Sequence, residues 1–147
     1  MLDRAVEAEV RRVVSGYRTL DPAAEWAGAR AVLRAAGIEV EATGKELLER
    51  CAAWSDTARE AVAWTLREAV TNILRHSDAR RVDISLAPGH VVMSNDGVLA
   101  VPAEDHRGGL ENLRSRLAGV GGRLDVSCVD GRFTLGARWE ADEEESV

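Results

Sequence analysis

The chain of 147 residues lacks the features that mark several common classes of protein. Its two cysteines, Cys51 and Cys128, lie far apart and form no C-x-x-C motif, so neither a zinc site nor a disulfide framework is indicated. No apolar run reaches the length of about 18 residues that a membrane span needs, and no secretion signal is present. Acidic residues outnumber basic ones by 25 to 19, and this balance argues against a nucleic-acid-binding surface. We therefore expect a cytoplasmic protein that contacts neither nucleic acid nor membrane.

The sequence does contain enough apolar residues for one compact domain, since 46% of its residues are hydrophobic. Before that domain, residues 3–20 place apolar side chains at heptad spacing: Val6, Val10, Val13, Tyr17 and Leu20. This spacing predicts the end of a paired helix, although packing on the domain's own surface would explain it as well. We expect a helical segment at 1–20, a domain at 21–140 and an acidic, disordered tail at 141–147.

Capping and turn signals divide residues 21–140 into helices and strands. Helices are predicted at 22–36, 45–53 and 109–120, and Ser55 or Asp56 should cap the long helix that contains residues 64–77. Strands are predicted at 38–42, 82–87, 91–94, 123–128 and 132–139, with hairpins around Pro88-Gly89 and Asp130-Gly131. The expected fold is α+β, a two-layer α/β sandwich whose mixed, mostly antiparallel sheet has helices on one face. Residues 98–107 would form a short lid.

The most informative stretch is the helix at 64–77, which reads WTLREAVTNILRHS. Glu68, Asn72 and His76 are four residues apart, and each step of four drifts by only about 40° around a helix. They therefore share one stripe beside an apolar face made of Ala58, Val62, Leu66, Ala69, Val70 and Ile73. A carboxylate, an amide and an imidazole at the margin of a core can hold a metal ion and phosphate oxygens. Such border positions are also often simply solvated.

Two glycine turns favour the phosphate-binding interpretation. The predicted strand at 91–94 stops at Asn95-Asp96-Gly97, and Gly108-Gly109 opens the next predicted helix. A strand, a glycine turn, a loop and a second glycine turn into a helix are typical of phosphate sites.

With these motifs, residues 21 to 140 resemble the nucleotide-binding catalytic domain of bacterial two-component sensor histidine kinases, in the GHKL superfamily with the Bergerat ATP-binding fold. The family's helix motif reads approximately E-x-x-x-N-x-x-[KR]-H, and Glu68, Asn72, Arg75 and His76 match it. The phrase REAVTNILRHS is most similar to the short-lid kinases of actinobacteria.

The resemblance implies a site for ATP and Mg²⁺. Asn72 would coordinate the Mg²⁺ that bridges the phosphates, Arg75 and His76 would lie near the phosphates, and Glu68 would orient the metal or a water. Glu68 and Asn72 are accordingly the expected catalytic residues. The expected ATP-binding residues are Asn72, Arg75, His76, Asn95, Asp96, Gly97, Arg107, Gly108, Gly109 and Leu110.

The chain departs from the family's glycine boxes at several positions. The first box is D-x-G-x-G, and here Asn95 replaces the Asp that accepts a hydrogen bond from the adenine amino group, while Leu99 replaces the second Gly. An Asn carbonyl can also accept that bond, more weakly than a carboxylate. The second box, G-x-G-L-x-G-L-x-E-R, appears at 107–116 as RGGLENLRSR. Arg107 would either add a cation for the phosphates or block them.

The activity that the resemblance implies is transfer of the ATP γ-phosphoryl group to a histidine on a separate dimerisation domain, with a response regulator downstream. No histidine precedes His76, so we expect the phosphoacceptor histidine not to be on this chain. The chain is expected to be part of a longer kinase, which is cytoplasmic or the cytoplasmic part of a membrane-anchored sensor. Alternatives are an anti-sigma-factor-type serine kinase, a degenerate non-catalytic regulatory module that binds proteins, and, least favoured, a plain hydrolase.

Overall fold

The computed structural model describes residues 21–98 and 109–140. In chain order its elements are α1 (Pro22–Ala35), β1 (Glu39–Thr43), a 3-10 helix (Lys45–Ala53), α2 (Asp56–His76), β2 (Arg81–Ala87), β3 (His90–Asn95), α3 (Gly109–Gly119), β4 (Arg123–Val129) and β5 (Arg132–Arg138). Each of these elements was predicted within a few residues of its observed bounds. The helical segment expected at 1–20, the tail at 141–147 and nearly all of the expected lid lie outside the described residues.

The five strands form one mixed sheet in the order β1-β2-β3-β5-β4. β1 runs parallel to β2, and the other three pairings are antiparallel. The β2–β3 and β4–β5 pairs are the two predicted hairpins. The sheet therefore confirms the predicted α+β class and its mostly antiparallel character.

The helices cover one face of the sheet, and the core lies between the two layers. Alternate side chains of the strands point into this core, as Val82, Ile84 and Leu86 do in β2. The other face carries charged side chains: Arg81, for example, forms ion pairs with Glu41 and Asp83. α2 contacts both α1 and α3, so the middle helix of the layer carries the polar stripe.

α2 is held at both ends by hydrogen bonds that the sequence partly predicts. The Ser55 hydroxyl accepts a hydrogen bond from the Ala58 N–H at 3.1 Å, which identifies Ser55 as the cap. At the other end, the Ser77 hydroxyl donates to the Ile73 carbonyl at 2.7 Å. Within the described ranges, the structure contains no helix with both the length and the apolar character to cross a membrane.

Candidate functional site

Asn72 is the buried member of the polar stripe on α2. Its side chain is 3% exposed, and within the described residues neither its amide oxygen nor its amide nitrogen has a hydrogen-bond partner. Leaving a buried polar group unpaired costs about 1–3 kcal/mol, so such groups in a native structure usually bind something. Among the described residues, the only other buried side-chain polar atoms without a hydrogen-bond partner are Thr65 Oγ1 and Trp139 Nε1, and Asn72 alone has two such atoms.

Glu68 joins α2 to the beginning of α3. A Cβ atom at position 109 would collide with the Glu68 carboxylate, so the absence of a side chain at Gly109 lets the two meet. Burial raises the pKa of the Glu68 carboxyl, while Arg75 and His76 act in the opposite direction. Because Gly109 begins α3, the carboxylate lies by the positive end of a helix dipole, where anions are favoured.

The remaining expected residues at this end of α2 and α3 have different environments. Arg75 is exposed and His76 is partly buried, both in the last turn of α2. Leu110 is buried in the core, so its side chain anchors the start of α3. Arg107 and Gly108, which were also expected to bind ATP, lie outside the described residues.

The first glycine turn follows β3 and is pinned to the end of α2. Gly97 has φ +68°, and a Cβ there would lie 2.5 Å from the Asp78 carbonyl oxygen, so this position requires glycine. The Asp78 N–H donates to the Gly97 carbonyl at 2.7 Å. These contacts place the turn next to the last residues of the helix that carries the polar stripe.

Asn95 and Asp96 in this turn already have hydrogen-bond partners. Asn95 is 2% exposed, and its amide nitrogen donates to the Asp96 carbonyl at 2.8 Å. The Asp96 carboxylate accepts hydrogen bonds from the backbone N–H groups of Arg80 and Arg81, at 2.8 and 3.1 Å. These bonds lower the pKa of Asp96. Asp96 therefore ties the end of β3 to the beginning of β2.

The structure adds residues that sequence reasoning did not include in the site. Glu68 and Gly109 form one wall of an open cleft of about 530 Å³ between α2 and α3, which we call the α2–α3 cleft. Its other lining residues are Trp64, Arg67, Asn112, Leu113 and Arg116. On each helix these residues recur at steps of three and four, but that spacing does not show that the two helices face each other.

No known family model matches the chain. Sensor histidine kinase YvfT from Bacillus subtilis is 29% identical over 132 residues, which are 87% of this chain and 35% of that protein. Acinetobacter baumannii histidine kinase AdeS has a TM-score of 0.56 at 14% identity, covering 95% of this chain and 82% of the other. The histidine kinase domain from Erythrobacter litoralis EL346 blue-light activated histidine kinase also scores 0.56, at 17% identity, covering 84% and 62%.

The chain thus has the fold of a histidine kinase domain and is related in sequence to a sensor histidine kinase, which confirms the predicted resemblance. It spans about a third of the length of that sequence relative. These three proteins are all histidine kinases, so the serine-kinase, regulatory-module and hydrolase alternatives gain no support from them. The short-lid subtype and the roles of the individual site residues stay predictions.

Proposed function

We propose that this domain binds Mg·ATP and transfers the γ-phosphoryl group to a histidine on a separate dimerisation domain, with a response regulator downstream in a cytoplasmic signalling reaction. The observation that carries this proposal is the buried amide of Asn72, whose two polar atoms have no partner within the described residues. It lies on α2 of a histidine kinase fold, one turn beyond Glu68, whose carboxylate meets Gly109 at the start of α3. A relative that is a sensor histidine kinase supports the same activity.

Asn72 fits the role of protein ligand to Mg²⁺. Mg²⁺ prefers oxygen ligands and is commonly held by one or two protein groups together with water and substrate phosphates. The Asn72 Oδ1 atom is such an oxygen, and its Nδ2 atom could donate to a phosphate oxygen. Bound Mg²⁺ would supply neutralisation of the charge on the phosphate oxygens, which is most of what phosphoryl transfer asks of a site.

The other residues of the site are proposed to bind the two ends of ATP. Arg75 and His76 would add cationic or hydrogen-bonding groups near the phosphates, and the start of α3 at Gly109 would offer backbone N–H groups to the same anion. Arg107 and Gly108 precede Gly109 directly and are proposed to complete that side.

At the adenine end, the orientation of the Asn95 amide supports a role in base recognition. Its nitrogen is held by the Asp96 carbonyl, so the amide oxygen is the atom left to accept a hydrogen bond. We infer that this oxygen accepts the bond from the adenine amino group that a carboxylate accepts in the family. Asp96 and Gly97 would hold the turn in place through their backbone contacts.

Calorimetric titration of the domain with ATP, with Mg²⁺ and then with excess EDTA, tests this function. We expect saturable binding that needs Mg²⁺ and that Asn72→Ala abolishes. Thr71→Ala is the matched control, because Thr71 is adjacent in the helix and, among the described residues, its hydroxyl donates only to the Arg67 carbonyl, at 3.0 Å. Equal binding by the Asn72→Ala variant and the parent would show that Asn72 does not form the site.

A further inference from the structure

The α2–α3 cleft adjoins the proposed phosphate site and is open to solvent. Glu68 and Gly109 line its inner wall, and Asn72 lies one turn of α2 beyond Glu68. Two other cavities, one near the β2–β3 turn and one between α1 and α2, contain no residue of the polar stripe. The α2–α3 cleft is therefore a route by which another molecule could approach the bound phosphates.

The outer part of the cleft has an aromatic wall and a cationic rim. The Arg116 guanidinium lies over the Trp64 ring, 5.2 Å from its centroid, in a cation–π contact. Within the described residues, no carboxylate lies within ion-pair distance of Arg116. The second cation, Arg67, is paired with Glu25 of α1. Among the described residues that line the cleft, Arg116 is thus the cation without an ion-pair partner.

We propose that the α2–α3 cleft is the docking surface for the protein segment that carries the phosphoacceptor, and that acidic side chains flanking the acceptor contact Arg116. This inference rests on the proposed function, because it assumes that ATP phosphates bind beside Glu68 and Gly109. The acceptor nitrogen has to come within about 3–3.5 Å of the γ-phosphorus before transfer. A segment seated in the cleft would bring its acceptor residue to the end that Glu68 and Gly109 form.

The partner's chemistry follows from the lining of the cleft. Leu113 and Trp64 offer apolar surface, Asn112 offers an amide, and Arg116 offers a positive charge held in place by stacking. A helix or loop with one or two carboxylates beside the acceptor and an apolar residue facing Trp64 would complement these groups. The whole chain has a net charge of −6, so a local positive rim is needed to receive an acidic segment.

Charge reversal at Arg116 tests the proposal at a residue of the cleft that is not proposed to bind ATP or Mg²⁺. The assay measures transfer of radiolabel from Mg·[γ-³²P]ATP to an isolated dimerisation domain of a sensor histidine kinase that contains its acceptor histidine. We expect Arg116→Glu to lower kcat/KM for that acceptor at least about tenfold, the size of effect that a close charge pair gives at an interface. The calorimetric Kd for Mg·ATP should stay within about twofold of the parent value, because Arg116 is not among the residues proposed to hold ATP or Mg²⁺.

Arg114→Glu is the matched control, since it makes the same charge change on the same helix outside the cleft. The Arg114 guanidinium faces β4, where it donates to the Leu124 carbonyl at 3.4 Å. This variant should transfer label within about twofold of the parent. Raising the ionic strength should slow transfer by the parent and by Arg114→Glu more than by Arg116→Glu, because only the first two retain the attraction.

Equal transfer by the Arg116→Glu and Arg114→Glu variants would overturn the docking surface. If the parent binds Mg·ATP but transfers no label, NMR tests the docking itself. Addition of the acceptor domain should then shift the Trp64 indole N–H signal. An unshifted Trp64 signal would also overturn the docking surface. A parent that fails to bind Mg·ATP in calorimetry would instead overturn the proposed function, so the two failures are distinguishable.

Discussion

Replacing Asn72 by leucine should stabilise the ligand-free domain and remove its response to Mg·ATP. The Asn72 side chain is 3% exposed, and both of its polar atoms lack partners within the described residues. Folding therefore removes hydrogen bonds to water that the protein does not replace. Leucine is similar in shape and carries no polar atom, so the substitution should raise the free energy of unfolding by about 1–3 kcal/mol.

Part of that gain would come from helix propensity, because leucine favours helices more than asparagine does. Asn112→Leu measures this part, since Asn112 is exposed within α3 and should gain only about 0.5 kcal/mol. Urea unfolding of the two variants and the parent, in the absence of nucleotide, gives both free energies. The Asn72→Leu variant should exceed Asn112→Leu by about 1 kcal/mol or more, which corresponds to about 2–4 °C in Tm per kcal/mol.

A destabilised Asn72→Leu variant would refute the reasoning. It would mean that the Asn72 amide has partners in the ligand-free protein, so that the mutation breaks hydrogen bonds instead of removing unpaired groups. A stabilised variant that still bound Mg·ATP as the parent does would refute the second half, because the oxygen proposed to hold Mg²⁺ would be gone.

Four further predictions concern the stability of the domain. Gly131→Ala should lower the free energy of unfolding by about 1–2 kcal/mol, the cost of its positive φ, since a Cβ there meets open space. Gly97→Ala should lower it further, because its Cβ would also meet the Asp78 carbonyl at 2.5 Å. Burial raises the pKa of folded Glu68 above its ordinary value of 4.5, so ionised Glu68 lowers stability at neutral pH; Glu68→Gln should be more stable than the parent at pH 7, and the difference should vanish below that ordinary value. The backbone hydrogen bonds that lower the pKa of Asp96 stabilise the fold at pH values above its ordinary pKa of 3.8. This stabilisation is lost as the pH falls through the folded pKa, so Asp96→Asn should make the free energy of unfolding depend less steeply on pH in that range.

Local patterns in the sequence were sufficient to predict most of the fold. The apolar stripe of α2 is buried as expected except for Val70, which is partly buried, because spacing of three and four residues fixes which side of a helix faces the core. Turn glycines and alternating strands likewise determined the two hairpins. The parallel pairing of β1 with β2 was not predicted, since the 3-10 helix and α2 separate the two strands and no local signal selects the partner.

The candidate site was predictable only where its residues share one element. The four-residue steps identified Glu68 and Asn72 as neighbours on α2. The contact between Glu68 and Gly109 and the stacking of Arg116 on Trp64 join α2 to α3, and they depend on how the two helices pack on the sheet. The spacing of residues along each helix separately cannot indicate such contacts.

The hydrogen bonds of Asp96 are a second feature that the sequence did not indicate. The resemblance predicted an ATP contact for Asp96, and the structure shows its carboxylate bound to the backbone of Arg80 and Arg81. Arg81 begins β2 and lies 15 residues from Asp96 in sequence, and Arg80, 16 residues away, directly precedes that strand. An acidic residue in a glycine turn can therefore be required for the shape of the turn independently of any ligand.

Thermal unfolding of the parent and the Asn72→Ala variant, with and without Mg·ATP, tests the central claim most directly. Binding to the native state alone stabilises it by RT ln(1 + [L]/Kd), or about 2.7 kcal/mol at a ligand concentration of about 100 times Kd. We predict a rise in Tm of about 5–10 °C for the parent that depends on Mg²⁺, and no rise for Asn72→Ala. An unchanged Tm for the parent at millimolar Mg·ATP, or the same rise in both proteins, would contradict the assignment of Asn72 as the centre of a nucleotide site.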